Sequence, residues 1–96
     1  MVNLEKEGGS TSTSVSKRAT IHIPTIDDVK NFVTIAMKYT CDIILVAGRY
    51  AIDGKSIMGV FSIDVTKPVE LRLDIDGPKD DRDEFLAEID KYIVKN

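Results

Sequence analysis

The sequence is poor in the residues that build metal and disulfide sites: across 96 residues it has one cysteine, one histidine and no tryptophan. The single Cys41 excludes an internal disulfide framework and a cysteine-based zinc site made by this chain alone. Positive charge is not in excess either, with 13 Lys and Arg against 16 Asp and Glu and a formal net charge of −3. Nucleic acid is thereby excluded as the main partner, because phosphate binding needs a basic stripe. Long apolar runs are missing. The longest, Ile43 to Ala47, falls far short of the roughly 20 residues that span a bilayer, so no membrane partner is expected. The charged opening Met1-Val2-Asn3-Leu4-Glu5-Lys6-Glu7 lacks the apolar stretch of a secretory signal, which makes the cytoplasm the expected address. What is there is an ordinary globular composition, 43% hydrophobic and 30% charged, enough for one domain and too little for two. A domain of this size buries roughly 60–70% of its unfolded surface, so it needs no metal or cofactor to hold a core, and none is expected.

The first stretch differs from the rest. Gly8-Gly9-Ser10-Thr11-Ser12-Thr13-Ser14 has no apolar periodicity and too little apolar surface to offset the entropy of ordering it. Residues 1–17 therefore read as a flexible tail and residues 18–96 as the folded domain. In Thr20-Ile21-His22-Ile23 the polarity alternates, which predicts a strand with Ile21 and Ile23 inward and His22 outward, broken by Pro24. Thr25-Ile26-Asp27-Asp28 reads as a helix start, with Thr25 as cap and Asp28 at the reciprocal position of a capping box. Ile26, Val29, Phe32, Val33, Ala36 and Met37 then mark one helical face, and Lys38 falls in the last turn, where a cation suits the dipole.

The β-branched run Asp42 to Ala47 predicts a buried or central strand, and Gly48-Arg49 a tight link to a short partner strand at Tyr50-Ala51-Ile52. Ile57, Val60, Phe61 and Ile63 fit a short helix between Ser56 and Ile63, and Val65-Thr66-Lys67-Pro68 a turn. Val69, Leu71, Leu73 and Ile75 alternate strictly with Glu70, Arg72 and Asp74, the clearest strand of the chain. Phe85, Leu86, Ile89, Tyr92 and Ile93 predict a final amphipathic helix. The order is β-α-β-β-α-β-α. Strands of alternating polarity need only one covered face, so the expected class is α+β, a four-stranded antiparallel sheet with three helices on one side.

Asp53-Gly54-Lys55-Ser56-Ile57-Met58-Gly59-Val60-Phe61-Ser62-Ile63 resembles the HPr family, the small phosphocarrier proteins of the bacterial sugar phosphotransferase system. Lys-Ser-Ile-Met-Gly is its specific core, Phe32-Val33 with Ala36 resembles the family's first helix, and the similarity runs from about Ala19 to Val94. The resemblance implies an HPr-like open-faced β-sandwich. It also implies a phosphoryl-carrying histidine in a Gly-Leu-His-x-Arg-Pro segment, and here the chain departs from the family. Counting back seven residues from Phe32, the histidine position holds Thr25, the arginine position Asp27 and the proline position Asp28.

The physical chemistry of those residues agrees with a lost carrier site. A phosphohistidine at a helix N-terminus needs free N–H groups and a nearby arginine. Here Thr25 takes a donor, and Asp27 and Asp28 place two negative charges where a dianion would sit. Each such repulsion costs about 1 kcal/mol at 4 Å in water and up to ~4 at an effective dielectric of 20. The only imidazole, His22, reads as an exposed strand residue with no loop or helix terminus to bind phosphate, and an unconventional carrier role for it is the alternative.

In Gram-positive HPr proteins and their histidine-lacking relatives the serine corresponding to Ser56 is phosphorylated by a dedicated kinase, and the product binds a transcription regulator. Ser56 at a helix start suits either that role, with Lys55 as a neighbouring cation, or plain capping. Ile57, Met58 and Phe61 resemble the family's partner contacts; Met58 is expected to be exposed and Ile57 partly so, with Phe61 open between surface and core. The partners implied are proteins: an HPr kinase, a transcription regulator or phosphotransferase-system enzymes. A non-enzymatic, regulatory, monomeric interaction protein is expected, with an HPr fold recruited to an unrelated partner as a further alternative.

Three other patterns point to less. Gly54-Lys55-Ser56 looks like the end of a phosphate-binding loop, but that pattern requires glycine where Arg49 stands. Asp80, Asp81, Asp83 and Glu84 read as helix-start carboxylates, and with Asp74 and Asp76 they define no metal site. Cys41, next to Asp42, is expected to be an unreactive thiol.

Overall fold

Residues 15–95 are described by the structure, a computed structural model. In chain order its elements are β1 (Lys17–Ile21), α1 (Ile26–Ala36), β2 (Asp42–Ala47), β3 (Tyr50–Asp53), α2 (Ile57–Phe61), β4 (Val69–Asp74), α3 (Arg82–Glu88) and a 3-10 turn (Asp90–Tyr92). The expected tail lies outside the described residues through residue 14, and Lys17, placed in it by composition, opens β1. The strands pair antiparallel in the order β1-β4-β2-β3, so the alternating strand β4 and the β-branched strand β2 take the centre.

One face of this sheet is dry. Ile21, Ile43, Leu45, Val69, Leu71 and Leu73 are buried there, together with Val29, Phe32, Val33 and Ala36 of α1, Val60 of α2 and Phe85 of α3. Phe32 and Phe85 meet edge to face at 5.8 Å, and Tyr39 adds a second edge contact to Phe85 at 5.4 Å. Glu70, Arg72 and Asp74 on the other face are only half-buried, which is the α+β, one-sided arrangement expected.

Two glycines answer to backbone demands. Gly48, at φ 62°, supplies the left-handed residue of the two-residue turn between β2 and β3. Gly54 donates its N–H to the Ile43 carbonyl at 2.7 Å, so close that a Cβ would stand 2.6 Å from Ile43 Cγ2. Gly54→Ala is therefore expected to lower stability by about 1–3 kcal/mol in urea denaturation, the usual range for overpacking.

Several expectations need correction. β1 stops at Ile21, which pairs with Val69, the first residue of β4, and the His22 N–H donates to the Tyr92 carbonyl at 2.9 Å; Ile23 is nevertheless fully buried. Ile26 and Met37, the first residue of α1 and its C-cap, are exposed and do not join the buried face. Lys38 lies past the end of α1 and pairs with Glu88 of α3 at 2.6 Å. The last helix is broken: α3 ends at Glu88, the chain tightens through the 3-10 turn, and Ile93 bridges to Ile21.

The acidic cluster is the largest surprise. Asp83 and Glu84 do occupy the first turn of α3, but Asp81 makes no side-chain cap there. It is 2% exposed and turned toward the link between α1 and β2. Its Oδ2 accepts from the Thr40 N–H at 2.8 Å and the Thr40 hydroxyl at 3.1 Å, and its Oδ1 accepts from the Cys41 N–H at 3.1 Å. Burial works to raise this carboxyl's pKa, but the bonds from Thr40 and Cys41 outweigh it and hold it below the usual carboxylate value. Next to it, buried Arg82 grips Asp80 with two bonds, at 2.8 and 3.0 Å, and donates to the Val15 carbonyl at 2.9 Å.

Candidate functional site

The first turn of α1 is occupied by its own side chains. Thr25 is extended, at φ −108° and ψ 162°, and its hydroxyl accepts from the Asp28 N–H at 3.0 Å. Asp27 and Asp28 lie in the first turn, so the positive end of the dipole already faces two carboxylates. His22 stands in the segment between β1 and α1, exposed, with Nε2 2.9 Å from the Thr66 carbonyl. A carbonyl can only accept, so Nε2 carries the proton and the ring is tied to the loop ahead of β4. The sequence had placed this histidine within a strand.

α2 packs against α1 and β3. Ser56 caps it: the backbone is extended, at φ −105° and ψ 112°, and the hydroxyl accepts from the Gly59 N–H at 3.1 Å. Of the five residues of α2, only Val60 is buried. Ile57, Met58 and Phe61 are 38%, 81% and 43% exposed, so a helix of barely more than one turn presents three large apolar side chains to water. Phe61, which the sequence left open, thus stands at the surface.

Lys55 departs from its expected place. Its ammonium donates to the Tyr39 carbonyl at 2.6 Å, and its N–H to Asp53 Oδ1 at 2.8 Å, so it braces the start of α2 against the end of α1. It does not stand free beside Ser56. Tyr39 is itself anchored: its hydroxyl donates to Glu88 at 2.6 Å, a bond that pushes the phenol up to about 12. Cys41 is fully buried, and burial first, then the charge of Asp81, pushes its thiol up to about 11. The carboxylate that disfavours the thiolate is Asp81 and not the neighbouring Asp42. Among the described residues no group of three or more His, Cys, Asp and Glu side chains forms a metal site, and no helix is long and apolar enough to cross a membrane.

Sequence reasoning had no signal for one feature. A cleft of about 380 Å³ opens between the β2–β3 turn and the segment after α2, with Tyr50, Ser62, Ile63, Lys67 and Val69 in its walls. None of the candidate site residues lines it.

The model of the family described as "PTS HPr component phosphorylation site" matches residues 28–95. The chain belongs to the HPr family. The matched stretch contains α2 and its flanking residues whole, and begins at Asp28, after Thr25 and Asp27. No curated protein matches the chain. Solved structures carry the same fold. HPr-C-His from Thermoanaerobacter tengcongensis is 26% identical, with a TM-score of 0.64 over 78% of this chain and 88% of that one. The phosphocarrier protein HPr from Bacillus anthracis is 22% identical, with a TM-score of 0.63 over 86% of this chain and 100% of that one. The catabolite repression protein Crh of Bacillus subtilis, described as a domain-swapped dimer, is 23% identical, with a TM-score of 0.53 over 86% of this chain and 92% of that one. This HPr-family chain is thus related to the phosphotransferase system, a setting in which protein partners are the rule.

Proposed function

We propose that this HPr-family chain is a non-catalytic, cytoplasmic interaction protein that has lost the phosphocarrier histidine and docks protein partners through Ile57, Met58 and Phe61 of α2. The observation that carries the reading is the exposure of those three side chains on a helix that buries one residue. Exposed Met and Phe side by side supply adaptable, large contact area without a fixed polar code. The carrier position gives the complementary support: Thr25 caps α1, and Asp27 and Asp28 repel a phosphoryl dianion from its N-terminus. His22 is tied to a carbonyl, with no cation among its hydrogen-bond partners.

Ser56 is the proposed regulatory site in the same surface. It is half-buried, directly precedes Ile57, and holds the cap of the docking helix. A phosphate there adds close to two negative charges at the edge of the apolar patch and draws Lys55 away from the Tyr39 carbonyl. The proposed partners are an HPr kinase, a transcription regulator or phosphotransferase-system enzymes, met by a monomer without cofactor.

Incubation with an HPr kinase and ATP tests the regulatory half. One phosphate should be incorporated, mapped to Ser56 by mass spectrometry and absent from Ser56→Ala. A chain that stays unmodified, or is modified elsewhere, removes Ser56 from the proposal and leaves the docking surface to be judged by binding.

A further inference from the structure

Large apolar side chains stand exposed at seven of the described residues, and three of them, Ile57, Met58 and Phe61, fall within the five residues of α2. The start of the described chain lies at the same end of the sheet as the start of that helix. The Ser16 hydroxyl donates to Asp74, Asp74 pairs with Asp42 of β2, and the Gly54 N–H meets the Ile43 carbonyl. From β1 to β3 is three strand spacings, about 14 Å. The helix layer joins the same two points. Arg82 holds the Val15 carbonyl at 2.9 Å, its neighbour Asp81 accepts from Thr40, and the Tyr39 carbonyl takes the Lys55 ammonium at 2.6 Å.

The sequence ahead of Val15 carries an apolar pair, Val2 and Leu4, joined to it by the ten residues Glu5 to Ser14, seven of them Gly, Ser or Thr. A linker of that composition and length spans roughly 16–19 Å on average and about 33–36 Å at most. That reach matches the distance from Val15 to α2. We propose that Val2-Asn3-Leu4 covers Ile57, Met58 and Phe61 of the same chain, so that a docking partner has to displace it. The regulatory consequence rests on the reading of α2 as the docking surface; the contact itself does not. A short tether sets an effective concentration in the millimolar range, so a contact of only millimolar strength is about half formed. Two aliphatic side chains on an apolar patch supply a contact of that order, too weak to hold between separate molecules. A half-covered patch lowers a partner's apparent affinity about twofold, which makes the cover displaceable.

Amide NMR of the full chain, compared with its Val2→Ser/Leu4→Ser variant, reads the contact without any partner. Both positions precede every element of the fold. The variant should shift the amides of Ile57 to Phe61 and leave those of Ile26 to Asp28, at the far end of α1, in place. The difference should not change with protein concentration. A variant whose α2 amides stay where the wild type has them overturns the proposal. So does a difference that grows with concentration, which would make the occupant a segment of a second copy. Failure of the docking reading would show instead as unaltered partner affinity in Met58→Asp, so the two can fall separately.

Discussion

Replacing Asp81 by alanine should cost this protein about 3 kcal/mol, roughly the expense of removing a buried, charged acceptor that serves three donors, one of them on buried Cys41. The donors are the Thr40 N–H, the Thr40 hydroxyl and the Cys41 N–H. Together they fix the link between α1 and β2 to the start of α3, so the loss should raise the unfolding rate as well as lower the urea midpoint. Asp81→Asn should recover part of the loss, because it keeps one acceptor oxygen but turns an amide N–H₂ on a remaining donor. A D81A variant with wild-type stability would show that water replaces the carboxylate at no cost.

The same carboxylate sets an acid dependence. Its folded pKa lies below the unfolded value of about 3.9, so its contribution is complete above that pH and is lost as the pH falls through the folded value. Asp80, held down to about 2 by Arg82, follows the same sign. Stability should be flat at neutral pH and fall between pH about 4 and about 2. In D81A the fall should be shallower, which an acid titration followed by circular dichroism reads directly.

The second large effect concerns binding. Met58→Asp should leave the fold unchanged, because the side chain is 81% exposed and surface substitutions cost less than about 0.5 kcal/mol. Affinity for an HPr kinase, measured by calorimetry, should drop about 30-fold, the equivalent of a 2 kcal/mol hot spot losing its apolar contact and gaining an unpaired charge. Unaltered affinity in M58D would remove α2 from the docking surface. Comparing the two variants separates the roles: D81A loses stability and keeps its contacts, whereas M58D keeps its stability and loses them.

Local patterns carried most of this molecule into view. Strict alternation in β4, the Gly48-Arg49 turn and the caps at Thr25 and Ser56 each depend on neighbours a few residues apart, and each is where the sequence puts it. That some of Ile57, Met58 and Phe61 face water followed from the shortness of the helix, and Met58 as an exposed one from the family resemblance. Long-range partners were out of reach. Asp81 meets Thr40 and Cys41 across about forty residues of chain, so as a sequence it looked like one more helix-start carboxylate. Lys55 reaches Tyr39, and beyond the break after Glu88 Ile93 pairs with Ile21; neither contact has a signature in composition or period. Ile26 and Met37 kept the helical spacing but stand at the two ends of the helix and are exposed, and spacing alone does not record how far along a helix its burial extends.

The central claim is that the N-terminus of α1 no longer carries a phosphoryl group. Phosphorus NMR of the full chain after incubation with phosphoenolpyruvate and enzyme I tests it most directly. No phosphoramidate resonance should appear, at pH values where a genuine HPr is fully charged. A stable phosphoramidate signal, abolished by His22→Ala, would contradict the account.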